Sequence, residues 1–472
     1  MQVRNRVLSQ SFKKTTLPLN VLIIGAGIAG LASAYALGKS GHKVRVLESS
    51  SDSNRASGGI RIPPNLSKIL KEWGLGSALQ TMQRCRKSSF RSLKDGELLG
   101  YLEWQEDVLK ETGGDFLLAH HAELHQLLYQ LACSVETTFS FGSIVTSLSV
   151  PIEASKENPW VILEDGTTIV ADVIIGADGA QSVVRDIVNG PMQGEETGHS
   201  FYTVTIPADK LQSDLELAKW VDMPEWPIWM GDSRSVLGYP IQNGSSYCIH
   251  IYWPDDELIN CSESKEGWDV TVSTSVINFD GYDPIVRKLF TAVPEALRTK
   301  YVKRQKVEDW VDETGRIILL GEAAHPLLPC TIHGASLAVE DAVVLGVLMA
   351  QLRSRNQIPQ LTAAFQDIRQ DRCNQVIDSE LNNAALVTLP PGEQRHARDA
   401  ALRSSLDFKE AQWNENQLRD QWDEIGDVFG YNARETAEDW WVKWGTLTDS
   451  CKTFVQHSPD LRFEVTKSEI RL

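Results

Sequence analysis

The sequence predicts an α/β fold: a doubly wound nucleotide-binding half, an antiparallel sheet set into it, and a helical C-terminal region. Three observations lead there. LNVLIIGAGIAGLASAYALGKSGHKVRVLES, beginning at Leu19, reads as strand, tight turn, helix and strand. SVLGYPIQ from 235 and SSYCIHIYW from 245 are short runs rich in β-branched and aromatic side chains and bounded by turn residues, as antiparallel strands are. From 353 onward the chain is polar with helical periodicity, ending near DWWVKWG.

Residues 19–24 form a continuous apolar run suited to a buried parallel strand. Gly25, Gly27 and Gly30 follow with the spacing G-x-G-x-x-G. The first glycine makes the turn and the second lets the backbone approach a pyrophosphate. The third lets the helix pack on the strand, and the helix N-terminus attracts phosphate charge. Glu48 ends the second strand, where a carboxylate binds ribose hydroxyls. GLGSAL at 74–79 is a near match, but an amphipathic helix precedes it rather than a strand, so a single dinucleotide fold is expected.

The balance of 46 basic against 63 acidic residues gives a net charge of −17, which argues against nucleic acid or an anionic membrane as partner. The longest apolar runs are too short or too glycine-broken to span a bilayer. Seven cysteines, none at metal-ligand or redox spacing, suit a reduced, cytoplasmic protein. Arg4, Arg6, Lys13 and Lys14 precede the first strand with no acid among them, and are read as a basic arm.

Three further stretches, in order SGGIRIPPNLSKILKEWGL, VADVIIGADGAQSVVR and GEAAHPLLPCTIHGASLAVEDA, resemble the single-component (group A) FAD-dependent aromatic hydroxylases. The likeness is to fungal salicylate-hydroxylase-like monooxygenases and runs from residue 19 to about residue 440, LPPGEQRHARDAALR included. It implies a para-hydroxybenzoate-hydroxylase-like fold, in which a Rossmann-type FAD-binding domain is interleaved with an antiparallel-sheet substrate domain. Residues 19–190 would be the first part of the FAD-binding domain, with a small substrate-side insertion near 81–112. Residues 191–315 would be the substrate sheet, 316–352 the return to the FAD-binding domain, and 353–472 the helical region.

The resemblance also implies the chemistry. NADPH or NADH acts as a transient reductant of FAD, and one oxygen atom of O2 reaches an aromatic or conjugated small molecule. Gly25, Gly27, Ile28, Gly30 and Glu48 would hold the adenosine and pyrophosphate of FAD. Ile60, His121, Asp178, Gly179 and Arg185 would follow, and Glu322, Gly334 and Ala335 would complete the cofactor site. His333, Tyr239, Ser235 and His250 are the catalytic candidates, since a phenol is activated by a base near its hydroxyl. Trp226, Trp229, Tyr239, Pro329 and Cys330 would contact substrate. Together with Trp220, Tyr252 and Trp253 they give an aromatic density that suits either a cavity wall or an interface under the sheet. A monomer or homodimer is expected.

Departures from the family pattern cluster. Glu322 stands for the usual aspartate, Ile332 for a glycine, His333 for glutamine and Ser336 for asparagine. A β-branched residue at a position needing positive φ would be costly. His121 replaces an arginine and so loses a permanent cation. In WMGDSRSVLGYP, Asp232 replaces a proline and Ser235 the histidine of related hydroxylases. His121 and His125 lie i, i+4 on a helix without a third ligand, so no metal is expected. Two readings stay open: a working monooxygenase with a rebuilt loop, or a chain with weak or absent flavin use that catalyses isomerisation or cyclisation in the same cavity. A binding protein is a third.

Overall fold

The computed structural model describes residues 13–51, 58–149, 158–257, 270–406 and 415–445. Arg4 and Arg6 of the basic arm lie outside them. The nucleotide half is a five-stranded parallel sheet in the order Ile317–Leu319, Val173–Gly176, Asn20–Ile24, Lys43–Leu47, Thr137–Ser140. Val21, Leu22 and Ile23 are buried in a core that this central strand shares with helix Ile28–Lys39 and with a three-stranded antiparallel sheet of Val145–Ser149, Trp160–Leu163 and Thr168–Val170. The chain leaves Asn20–Ile24 toward one neighbour and returns later on its other side. The carboxyl end of that strand is therefore a topological switch point, where open α/β sheets hold their ligands.

Helix Ile28–Lys39 packs against helix Gly334–Met349 across small residues. A Cβ on Gly346 would lie 2.9 Å from that of Ala36, and Ser40 Oγ donates to the Gly346 carbonyl at 2.8 Å. Ile317–Leu319 adds the edge strand of the parallel sheet beside Val173–Gly176.

The second sheet has eight strands in the order Val270–Ser273, Glu295–Lys303, Glu195–Pro207, Ser246–Pro254, Ser235–Ile241, Glu225–Met230, Lys87–Ser92, Leu98–Glu103. All neighbours are antiparallel except Glu225–Met230 with Lys87–Ser92. Successive side chains alternate between two cores. Trp229, Val236, Ile249, Ile251 and Trp253 enter an outer core with Trp220 and helix Pro284–Phe290. Trp226, Ile228, Met230, Tyr239 and Cys248 enter an inner core facing the nucleotide half.

That alternation corrects the expected aromatic wall. Trp229 lies outside it: the ring is fully buried on the outer face, and its Nε1 donates to Asp283 at 2.9 Å. Trp220 packs on Trp229 at 5.2 Å, and Trp253 packs on Phe279 at 5.2 Å, so these two tryptophans also fill the outer core.

Between the halves lies a small antiparallel sheet of Gly59–Ile62, Leu117–His120 and Gln83–Arg84. The C-terminal region opens with the 30-residue helix Ile358–Val387 and continues through Glu393–Ser404, Glu415–Phe429 and Ala433–Trp440.

Candidate active site

The turn after the first strand is built as the spacing requires. Gly25 sits at φ +103°, and a Cβ there would lie 2.4 Å from the Ala177 carbonyl oxygen. A Cβ on Gly30 would lie 1.9 Å from the Gly25 carbonyl oxygen. Gly27 is different: it is exposed, and nothing lies within 4 Å of where its Cβ would be. Helix Ile28–Lys39 begins there without a side-chain cap, leaving its first N–H groups for an anion. Glu48 follows its strand directly and accepts from Ala26 N–H at 2.8 Å and from Ser50 N–H at 2.9 Å. An open cradle of backbone donors beside a carboxylate fits the pyrophosphate and ribose of a dinucleotide.

The neighbouring segments brace this turn. His125 Nε2 meets the Ala26 carbonyl at 2.8 Å, and the His121 ring stacks on His125 at 6.5 Å. Burial, and then the neighbouring histidines, lower His121 to a pKa of about 4, so it is a neutral imidazole where the family places a cation. Ile60 turns toward the nucleotide core.

Asp178 and Arg185 have structural partners. Asp178 holds Ser182 Oγ at 2.5 Å and accepts from Val183 N–H at 2.8 Å, which fixes the start of helix Val183–Asn189. Arg185 donates to the Ala180 carbonyl at 2.7 Å and, at 3.5 Å, to the Glu322 carbonyl. Both side chains therefore shape the loop around Gly179, which sits at φ +79° with open space beside it.

The rebuilt loop runs from Gly321 to Gly334. Gly321 takes φ +58° and donates to Asp341 Oδ2 at 3.0 Å. Burial raises the pKa of Glu322. The left-handed residue here is Cys330, at φ +60°, and not Ile332. Ile332 needs no positive φ, so the condition under which it would be strained is not met, and it packs its branched side chain against the inner core. His333 precedes helix Gly334–Met349; its N–H donates to Glu380 Oε1 at 2.9 Å and its Nδ1 lies 3.2 Å from Ser336 Oγ. Burial, then Arg372 and Arg61, lower its pKa to about 3. As a buried neutral group tied to the start of the helix it is poorly placed as a base, and Ala335 beside it packs on the nucleotide core.

The inner face carries a polar chain. His250 Nε2 meets Tyr239 Oη at 2.8 Å, and its Nδ1 meets Thr203 Oγ1 at 2.9 Å and Cys330 Sγ at 3.3 Å. Burial lowers His250 to a pKa of about 3, helped by Arg61, and holds Tyr239 well above 10. Both stay neutral over the working range. Gly59 comes so close that a Cβ would lie 2.6 Å from Tyr239 Cε2, and its N–H donates to Cys248 Sγ at 2.9 Å. Cys330 closes the loop side, preceded by half-buried Pro329, and Trp226 shares the inner core with Tyr239. Ser235 shares the face of Tyr239 but lies four residues earlier, opposite Tyr252, while His250 is opposite Leu237; no side-chain hydrogen bond joins Ser235 to the His250 chain.

Sequence reading missed Arg61, Thr203 and Glu380, and also a buried ionic network. Arg369 pairs with Glu340 at 2.9 Å and Asp341 at 2.8 Å, His325 Nε2 meets Asp341 at 2.7 Å, and Asn65 donates to Glu340 at 2.7 Å. Burial would raise the pKa of Asp341, but His325 and Arg369 hold it at about 2. His325, Asp341 and Cys373 bring ligand atoms within 4.8 Å of one another. A guanidinium already occupies the carboxylate, which makes this a structural knot.

The FAD binding domain family matches residues 18–380. FAD-dependent monooxygenase OpS4 of Beauveria bassiana is 27% identical over 440 residues, covering 89% of this chain and 97% of that protein. FAD-dependent monooxygenase cfoG of Aspergillus candidus is 30% identical over 375 residues, covering 76% and 84%. A salicylate hydroxylase substrate complex superposes with a TM-score of 0.69 at 22% identity, covering 89% of this chain and 97% of that one.

Proposed function

This chain belongs to the FAD binding domain family and is an FAD-dependent monooxygenase, and from that premise we propose that it oxygenates a flat aromatic or conjugated small molecule at the inner face of the eight-stranded sheet. Residues 19–190 and 316–352 hold FAD, and residues 191–315, with the 81–112 insertion, cover the substrate. Bound FAD supplies two-electron chemistry with NADPH or NADH and the transfer of one oxygen atom from O2.

The chain's own residues do the rest. The open backbone at Gly27 and the uncapped helix start bind the phosphates, and Glu48 takes the ribose hydroxyls. Trp226 and Tyr239 present aromatic surface for a flat substrate. A neutral imidazole has one donor and one acceptor. With Nδ1–H donating to Thr203, His250 Nε2 accepts from the Tyr239 hydroxyl, which leaves the Tyr239 oxygen to accept from a substrate hydroxyl and raise the electron density of its ring. We place the protein in the cytoplasm as a monomer or homodimer. No helix among the described residues is long and apolar enough to cross a membrane, and five of its cysteines are unpaired.

One observation carries the reading: two glycines that no Cβ can replace flank a third beside open space. Purified protein incubated with FAD should retain it at about one per chain, and aromatic acids should accelerate anaerobic bleaching of that flavin by NADPH or NADH. A protein that stays colourless and still converts a substrate without oxygen would revive the isomerase reading, which the monooxygenase relatives disfavour.

A further inference from the structure

Strand Gly59–Ile62 sends Ile60 and Ile62 into the nucleotide core and Arg61 to the opposite side. Arg61 is only 2% exposed. Its guanidinium lies 4.9 Å from the Trp226 ring centre and 5.7 Å from that of Tyr239. Nη2 donates to the Cys330 carbonyl, while Nε and Nη1 are buried without a hydrogen-bond partner. A guanidinium offers five donors in a rigid fork, so a buried one left mostly unsatisfied is costly to keep. Glu380, the acid whose field meets it, already accepts from the His333 N–H through Oε1 and makes no ion pair with the guanidinium. The facing groups His250, Tyr239, Cys330 and Cys248 are all held in neutral forms by burial.

We propose that Arg61 is the anchor for an anionic oxygen of the substrate, a carboxylate or an ionised ring hydroxyl, held between Trp226 and Tyr239. The proposal rests on the oxygenase reading for the reaction, but not for the binding. Planar acids suit the site because the fork takes two oxygens side by side while the rings cover the aromatic body. Tyr239, polarised through His250, then lies against the same ring that Arg61 holds, so one group sets charge and the other orientation.

The test titrates the FAD-loaded protein with naphthoate against naphthamide, and para-nitrophenolate against para-nitroanisole, read by tryptophan fluorescence. Flavin content is measured separately, so loss of FAD and loss of anion recognition are told apart. At least one anion should bind about tenfold tighter than its neutral partner. Arg61→Gln should erase that advantage and Arg61→Lys should keep part of it, with flavin content unchanged in both. Which pair shows the effect distinguishes carboxylate from ionised hydroxyl. Equal binding of both pairs by the unaltered protein overturns the proposal. So does an advantage that survives in Arg61→Gln, or a loss of FAD in Arg61→Gln with the advantage intact.

Discussion

Gly27 and Gly30 stand three residues apart and fail in opposite ways. Gly30→Val drives a side chain into the Gly25 carbonyl, which a Cβ would meet at 1.9 Å, so the variant should not fold. Gly27→Val points into open space, so its thermal midpoint without FAD should match the parent, while FAD affinity falls by more than about tenfold. Unchanged FAD affinity in Gly27→Val would remove the phosphate assignment. The buried histidines set a pH dependence. His250 and His333 are held near a pKa of about 3 against an ordinary 6.5, so the unfolded chain takes up protons that the folded one refuses. Their contribution is fully present above 6.5 and is lost as pH falls toward 3. Denaturant unfolding at about pH 5 should show roughly 1–2 kcal/mol less stability per histidine than at about pH 7, and His250→Gln should flatten that slope. A slope unchanged in His250→Gln would contradict the burial account. The glycine triplet was legible because its spacing is itself the constraint. Arg61 was not, because a four-residue strand does not announce which face is inward.

Helix Gly334–Met349 is held by ions as well as by apolar contact. Arg369→Met leaves buried Glu340 with only Arg372 as cation, 3.7 Å away, and buried Asp341 with only His325, and should cost about 3–5 kcal/mol. Thermal or urea unfolding reads this directly; a loss under about 1 kcal/mol would mean that the network relaxes around the gap. The loop before this helix shows what pattern comparison reads and what it does not. Counting positions marked residues 322–336 as altered. It asked whether Ile332 needs positive φ, whereas the chain carries its left-handed residue two positions earlier, at Cys330. A motif numbers residues but does not report φ. In the same way, aromatic density in residues 220–253 was visible, but the register that sends Trp229 outward and Trp226 inward depends on which neighbour each strand pairs with.

At the scale of the whole molecule, the chain passes between two layers more than once. Lys87–Ser92 and Leu98–Glu103 leave the nucleotide half to extend the far edge of the eight-stranded sheet, and Ile317–Leu319 comes back. Those crossings place Gly59 against Tyr239 and Cys330 against His250, so the loop proposed to border FAD and the face proposed for substrate meet across one seam. The parallel half was legible from a single complete strand-turn-helix-strand unit. The seam was not, because its contacts join residues far apart in sequence that no local pattern links. The central claim is that this seam delivers oxygen. The aromatic acid that most accelerates NADPH or NADH oxidation should be turned over under oxygen-18 gas and the product weighed. One labelled oxygen atom in the product, and no product without oxygen, is the predicted result. An unlabelled product formed equally well under anaerobic conditions would contradict it.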